Sequence, residues 1–257
     1  MTAATKTALV RRDTIDQVIE ALNDVVDSAR REGSRLGYFA ALYRNVTIEV
    51  KRGIAQGRFD DGGRMERFDV VFAGRYLAAL ESYRRGERTS QCWVTCFQSC
   101  PQWRPIVLQH LLLGMNAHIN LDLAVAAATT APGQELAALR RDFDEINNIL
   151  SAMIGGVQYR LSLIWPWMWL LDRIGGRTQN AILNFSIEHA RRAAWAAAER
   201  LAFIDPGRRD AELEELDRSA ARIAHLVRNP PLTIRLGNLW VRLGELRDIR
   251  KIIDCLC

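Results

Sequence analysis

The sequence predicts an all-α protein, because three of its features are those of a helical bundle. Apolar side chains recur about every 3.6 residues along almost the whole chain. Glycine and proline interrupt this pattern at separated points, where helices are expected to end. No segment alternates apolar and polar residues as a half-buried strand does, and no hairpin turn lies between two such segments.

The predicted helices follow one another with short breaks. Thr14 and Gln17 fit a capping box at the start of the first helix. Pro105 suits the first turn of a later helix, because that turn needs no N–H from its residues. In chain order, the predicted helices are 15 to about 33, one from about 34, one from about 65, 104–129, 134–162, a short one after Trp165 that stops at Gly175, 178–203, 210–228, and one from Pro231 to the C-terminus.

One helical domain over residues 1–257 is the simplest organisation, with a C-terminal helical appendage at 208–257 as the alternative. A chain of this length can bury a core without disulfides or metals. The longest strongly apolar stretch, at 161–171, is shorter than the roughly 20 residues of a membrane span. The N-terminus lacks the features of a secretory signal. We therefore expect a soluble, cytoplasmic protein with no membrane span.

The charge of the chain is mildly basic, with a formal net charge of +5. Its arginines are scattered and mostly lie near acidic residues, as Arg31 lies beside Glu32. The sequence has no basic stripe interleaved with exposed aromatic residues, which nucleic-acid-binding proteins commonly show. We therefore expect no nucleic-acid partner.

The helix at 104–129 holds the strongest functional signal. Its apolar residues point in almost all directions, which indicates a helix buried at the centre of the domain. Five polar side chains nevertheless lie on it, and these are His110, Asn116, His118, Asn120 and Asp122. An unpaired buried polar group costs about 1–3 kcal/mol. These residues therefore need dense partners, a wet cavity or a bound ion.

His118 and Asp122 lie one helical turn apart and share a face with Gly114. The pair is a candidate acid/base pair in which Asp122 orients His118. Gly114 would leave room for a ligand on that face. The candidate substrate-binding residues are Met115, Asn116, Asn120, His110, Trp165 and Trp169. The alternative is a purely structural hydrogen-bond network.

Binding of a divalent metal ion is a second candidate role for His118 and Asp122. His118 and Asp122 are residue types that bind metals, and Asp142 and Glu145 flank the core face of the next helix. The four residues are therefore a candidate ligand set. The sequence has no HExxH motif and no paired ExxH of the di-iron type, so the cofactor stays open.

The cysteines follow an unusual pattern. Cys92, Cys96 and Cys100 recur every four residues, which places three thiols on one side of a helix. Packing as small apolar side chains is the favoured interpretation. Their role, and that of Cys255 and Cys257 at the C-terminus, stays open.

Several stretches resemble a bacterial family defined only as a domain of unknown function. They are SRLGYFAALYR at 34–44, MERFDVVF at 65–72, the His110 to Leu123 segment with NAHINLDL, WLLDRIGGRT at 169–178 and NFSI at 184–187. The resemblance covers roughly residues 15–205. It implies an all-helical fold and a bacterial source, and it supplies neither a reaction nor site residues.

Two functions follow from these observations. The first is an enzyme that acts on a small, largely apolar organic substrate in a pocket between helices. Hydrolase, lyase, isomerase and cyclase chemistry all remain open, with His118 and Asp122 as the acid/base pair or as metal ligands. The second is a non-catalytic ligand-binding or scaffold protein, in which the polar helix is structural.

Overall fold

Helices make up nearly all of the regular structure in the computed structural model, which describes residues 12–165 and 187–257. These two ranges contain no strand, so the all-α prediction is confirmed. The helices are α1 (Ile15–Glu32), α2 (Leu36–Ala55), α3 (Gly62–Arg84), α4 (Gln91–Ser99), α5 (Val107–Ala117), α6 (Leu123–Thr130), α7 (Leu136–Ile164), α8 (187–203 of the described residues), α9 (Pro206–Arg228), α10 (Leu232–Gly244) and α11 (Ile249–Leu256).

The first two helices form a hairpin that is defined by local sequence signals. The Thr14 hydroxyl accepts a hydrogen bond from the backbone N–H of Gln17 at 3.3 Å, which caps α1 as predicted. Gly33 ends α1 with a φ of 62°, a left-handed conformation that favours glycine. α2 then packs closely on α1. A Cβ at Gly37 would lie 2.8 Å from the side chains of Ala29 and Ile253, so only glycine fits there.

The predicted central helix is present and runs through the middle of the domain. α5 and α6 form one continuous helix that is joined by a π-helical turn at His118–Asp122. It packs against α2, α3, α4 and α9. Among the described residues, the helix Val107–Thr130 is the one that is long and apolar enough to cross a membrane, and 78% of its most apolar window is buried inside the protein. Burial of that kind is expected of a central helix.

Two of the C-terminal helices, α9 and α11, belong to the same core as the helices before them. α9 contributes Ala220, Ala221 and Ala224, whose small side chains allow close approach to α5. α11 buries Ile252 and Ile253 against α1, α2 and α7. α9 and α11 therefore pack into the same helical core as the N-terminal helices.

The C-terminal segment forms two helices where the sequence predicts one. Glu245 interrupts the predicted helix and is buried, and its Oε1 accepts a hydrogen bond from the backbone N–H of Val107 at 3.0 Å. A carboxylate is favourable at the N-terminus of a helix, where backbone N–H groups lack partners. Asp248 then caps α11 by accepting from the N–H groups of Arg250 and Lys251. The break therefore brings Glu245 to the start of the central helix.

The helix α10 stands out from the core with its apolar face exposed. The exposed large side chains on it include Leu232, Leu236, Leu239 and Trp240, the last 79% exposed. The predicted short helix after Trp165 and the beginning of the predicted helix 178–203 lie outside the described residues.

Candidate functional site

The π-helical turn places His118 and Asp122 together in the buried helix. The N–H of Leu123 bonds the carbonyl of His118, which is the five-residue spacing of a π-helix. A π turn holds an extra residue, so the faces before and after it do not align as in a regular α-helix. Such turns are frequent at functional sites.

Gly114 does not leave room for a ligand, contrary to the sequence-based interpretation. A Cβ at this position would lie 2.4 Å from Cγ of Phe39, so α2 fills the space that the missing side chain leaves. Phe39 in turn lies edge-on to His118, with ring centroids 5.7 Å apart. Gly114 therefore allows the close packing of α2 on the central helix.

Asp122 is buried and accepts three hydrogen bonds. Its Oδ1 accepts from Nε of Arg75 at 2.9 Å, and its Oδ2 accepts from the indole N–H of Trp93 at 2.9 Å. Nδ1 of His118 lies 3.2 Å from Oδ2. The guanidinium of Arg75 balances the buried charge, and the three donors together fix the orientation of the carboxylate.

His118 is buried as a neutral ring. Burial lowers its pKa and outweighs the hydrogen bond and charge of Asp122, which raise the pKa. Because a carboxylate only accepts hydrogen bonds, the ring proton lies on Nδ1 and the lone pair on Nε2. Nε2 is buried and has no hydrogen-bond partner among the described residues. The arrangement leaves an oriented base with a free lone pair.

Aromatic rings surround His118. Phe72 stacks on it with centroids 3.6 Å apart and an interplanar angle of 8°, and the ring of Tyr43 meets it edge-on at 4.4 Å. The hydroxyl of Tyr43 is also buried without a partner among the described residues, as is Oδ2 of Asp69. Burial, and then the charge of Glu66, raise the pKa of Asp69 to about 7. Three buried polar atoms without hydrogen-bond partners among the described residues therefore lie near the His118–Asp122 pair or on the adjacent helix α3.

A cavity of about 400 Å³ lies between the central helix, α2, α3, α7, α8 and α9. Its walls are largely apolar, with Leu and Ile side chains from α5, α7 and α9. The polar residues in its wall are Tyr43, Asn116, His118, Asn120, Gln158 and Arg191. Cavities of this size, which are mostly apolar with a few placed polar groups, are typical of small-molecule sites.

Three of the predicted substrate-binding residues line this cavity, and these are Met115, Asn116 and Asn120. Nδ2 of Asn116 donates to the carbonyl of Ala220 at 2.8 Å, and its Oδ1 accepts from Nδ2 of Asn120 at 2.9 Å. Asn116 therefore holds α9 against the central helix, and Asn120 supports Asn116 from the cavity wall.

Neither of the other two described candidates for substrate binding lines this cavity. His110 packs edge-on against Tyr38, with centroids 5.8 Å apart, and does not line the cavity described above. Burial is the main cause that lowers its pKa to about 3. Trp165 ends α7 and is not part of the cavity wall either, and Trp169 lies outside the described residues.

The predicted metal ligands are not brought together. Asp142 accepts hydrogen bonds from the backbone N–H groups of Asp60 and Asp61 and pairs with Arg64 at 2.7 Å. Glu145 pairs with Arg58 at 2.6 Å. Over the described parts of the chain, no group of three or more His, Cys, Asp and Glu residues is arranged to hold a metal ion. The two acids instead hold the α2–α3 loop on α7.

The cysteine row faces the core. Cys92, Cys96 and Cys100 are buried free thiols, and burial is the main cause that raises the pKa of each. Neutral buried thiols behave as small apolar side chains, in agreement with the favoured interpretation. Cys255 and Cys257 are partly buried and free.

Sequence reasoning missed Arg191, a buried residue of α8 in the cavity wall. Its Nε donates to Oδ1 of Asn147 at 2.6 Å, and its Nη2 donates to the carbonyl of Phe143 at 2.6 Å. The available signal was its register, because Arg191 is four residues after Ile187 and three before Ala194 on an apolar stripe. Arg75 and Trp93, the partners of Asp122, were missed as well. No spacing rule connects residues on three separate helices.

These features define the class of protein: an all-α domain with a buried His–Asp pair in its central helix and an apolar cavity beside it. A model of the family of unknown function DUF5995 matches residues 15–230, and the chain therefore belongs to this family. No curated protein and no solved structure matches the chain.

Proposed function

We propose that the protein is an enzyme that binds a small, largely apolar organic molecule in the cavity and transfers a proton with His118. One observation carries the proposal: a neutral histidine, oriented by a buried carboxylate, lies in the wall of an apolar cavity of about 400 Å³. Burial of apolar surface would supply the binding energy.

The roles of the two residues follow from their hydrogen bonds. Nε2 of His118 would accept a proton from the bound molecule, and the resulting imidazolium would be stabilised by Asp122. The same proton would then return to another atom of the molecule or to a leaving group. No Ser, Thr or Cys side chain lines the described cavity wall beside His118. Proton transfer, as in lyases, isomerases and cyclases, therefore fits better than hydrolysis through a covalent intermediate.

A ligand carrier is the second candidate function, and the burial of Nε2 favours it. Phe72 covers one face of His118, and Nε2 has almost no accessible surface. In a carrier, the same cavity would hold the ligand, while His118 and Asp122 would only stabilise the central helix.

An extract of apolar metabolites distinguishes the two candidates without a known substrate. Wild type, His118→Gln and the control His110→Gln are each incubated with the extract, and mass spectrometry follows bound and consumed compounds. The control makes the same chemical change on the same helix, away from the cavity. An enzyme would consume one compound in wild type and in the control, while His118→Gln would bind it without consuming it. Binding without consumption by all three proteins would contradict the enzyme and support the carrier.

A further inference from the structure

Arg191 is a buried charge in an apolar wall. The residue is 3% exposed, and it lines the cavity from α8. Burial lowers its pKa to about 9, which leaves the guanidinium charged at neutral pH. A buried charge is costly unless it is paired with an opposite charge. We therefore expect a negatively charged group beside Arg191.

This guanidinium donates hydrogen bonds only to neutral groups of the described residues. Its two hydrogen bonds go to the amide oxygen of Asn147 and the carbonyl oxygen of Phe143, and its Cζ lies 4.3 Å from the centre of the Phe143 ring. The third nitrogen, Nη1, has no hydrogen-bond partner in the described ranges. Burial lowers the pKa of Arg191 more strongly than the charge of nearby Asp144, which is paired with Arg140 at 2.7 Å, raises it.

Several other arginines of low exposure are arranged differently, although the partly buried Arg35 and Arg44 also donate to amide and backbone oxygens. Three whose side chains are at most 33% exposed each pair with a buried carboxylate, and the pairs are Arg64 with Asp142, Arg75 with Asp122 and Arg242 with Glu245. Arg191 is more buried than any of these arginines and has no such acid among the described residues. A buried guanidinium without a carboxylate partner among the described residues therefore lies in the cavity wall.

We infer that the molecule bound in the cavity is an apolar carboxylic acid whose carboxylate pairs with Arg191. The inference rests on the proposed function, because it assumes that the cavity holds an apolar ligand. A guanidinium with a free nitrogen suits a carboxylate, which accepts parallel hydrogen bonds from arginine. Arg191 is the sole charged side chain in the described cavity wall, because His118 is neutral. One positive charge matches a monoanion rather than a phosphate dianion.

The test compares two probes that differ only in the head group: dodecanoate and 1-dodecanol. Isothermal titration calorimetry measures both with wild type, Arg191→Gln and the control Arg192→Gln. Arg192 is next to Arg191 but half exposed and lies 3.8 Å from Glu188. We expect wild type and the control to bind dodecanoate about tenfold or more tightly than dodecanol. Arg191→Gln should lose this preference and still bind dodecanol.

The outcomes separate this inference from the proposed function. Equal affinity of wild type for the two probes would overturn the carboxylate inference and leave apolar ligand binding intact. If Arg191→Gln still binds dodecanoate more tightly than dodecanol, Arg191 is not the residue that binds the carboxylate. Failure of wild type to bind either probe would contradict the proposed function as well. The wild-type comparison needs no variant, so it remains decisive even if Arg191→Gln does not fold.

Discussion

Nδ1 of His118 lies 3.2 Å from Oδ2 of Asp122 within a single π-helical turn of the central helix. Asp122 is held from outside this turn by Trp93 and Arg75, which belong to α4 and α3. Three helices therefore fix the orientation of one imidazole. The free lone pair on Nε2 is a consequence of this arrangement, because Nδ1 carries the proton.

The Asp122 network should contribute strongly to stability. Asp122→Asn removes the charge that balances Arg75, and we expect it to lower the free energy of unfolding by about 3 kcal/mol. This is the lower end for a broken buried pair, because the Arg75 side chain is 33% exposed and can reach water. Urea denaturation measures the change. Asp16→Asn, at the exposed pair with Lys51, is the control and should cost at most about 1 kcal/mol. Equal losses in the two variants would contradict the account of Asp122.

Close packing of α2 on the central helix should make Gly114 intolerant of a side chain. Gly114→Ala places a Cβ 2.4 Å from Phe39 and should cost about 1–3 kcal/mol of unfolding free energy or more. Gly155→Ala on α7 meets nothing within 4 Å, so it should be neutral or stabilise the helix by up to about 1 kcal/mol. A fully stable Gly114→Ala variant would show that the glycine serves another purpose, such as ligand access.

Asp69 should make the protein less stable as the pH rises. Its pKa is raised from 3.8 to about 7, so between these values the folded state binds more protons than the unfolded state. This contribution to stability is complete below pH 3.8 and is lost as the pH rises towards 7. The shift of about three pKa units corresponds to at most about 4 kcal/mol.

The variant Asp69→Asn isolates that effect, because its amide does not titrate. We expect the variant to gain stability relative to wild type as the pH rises from 4 to 7.5, measured by chemical denaturation at each pH. A difference between variant and wild type that does not change with pH would contradict the raised pKa.

The fold could be predicted from the sequence because it depends on periodicity and on local breaks. The apolar stripe of α1, its cap at Thr14 and its end at Gly33 are all local signals, and the structure confirms them. The break at Glu245 has local signals as well, which are the glycine before it and the N-cap Asp248 after it. The contact of Glu245 with the central helix cannot be predicted in this way, because it is a hydrogen bond to Val107, a residue more than a hundred positions earlier in the chain.

The site was only partly predictable for the same reason. A helical wheel with 3.6 residues per turn brings His118 and Asp122 to one face, and the structure places them in contact. The same helical wheel predicted room for a ligand at Gly114, and this prediction was wrong. The wheel gives no information about Phe39, which lies on the neighbouring helix and fills that space. Residue type and a position beside the core face of α7 predict Asp142 and Glu145 as co-ligands of His118, but their arginine partners hold them elsewhere.

The proposed function requires that Nε2 of His118 contacts the molecule bound in the cavity. Nitrogen NMR of protein labelled with ¹⁵N-histidine measures this directly, with 1-dodecanol as a neutral probe and with His118→Gln and His110→Gln to assign the signals. We expect His118 to be the Nδ1–H tautomer and its Nε2 signal to shift at saturating dodecanol, while the signals of His110 stay in place. Dodecanol that binds by calorimetry without moving the Nε2 signal of His118 would contradict the claim.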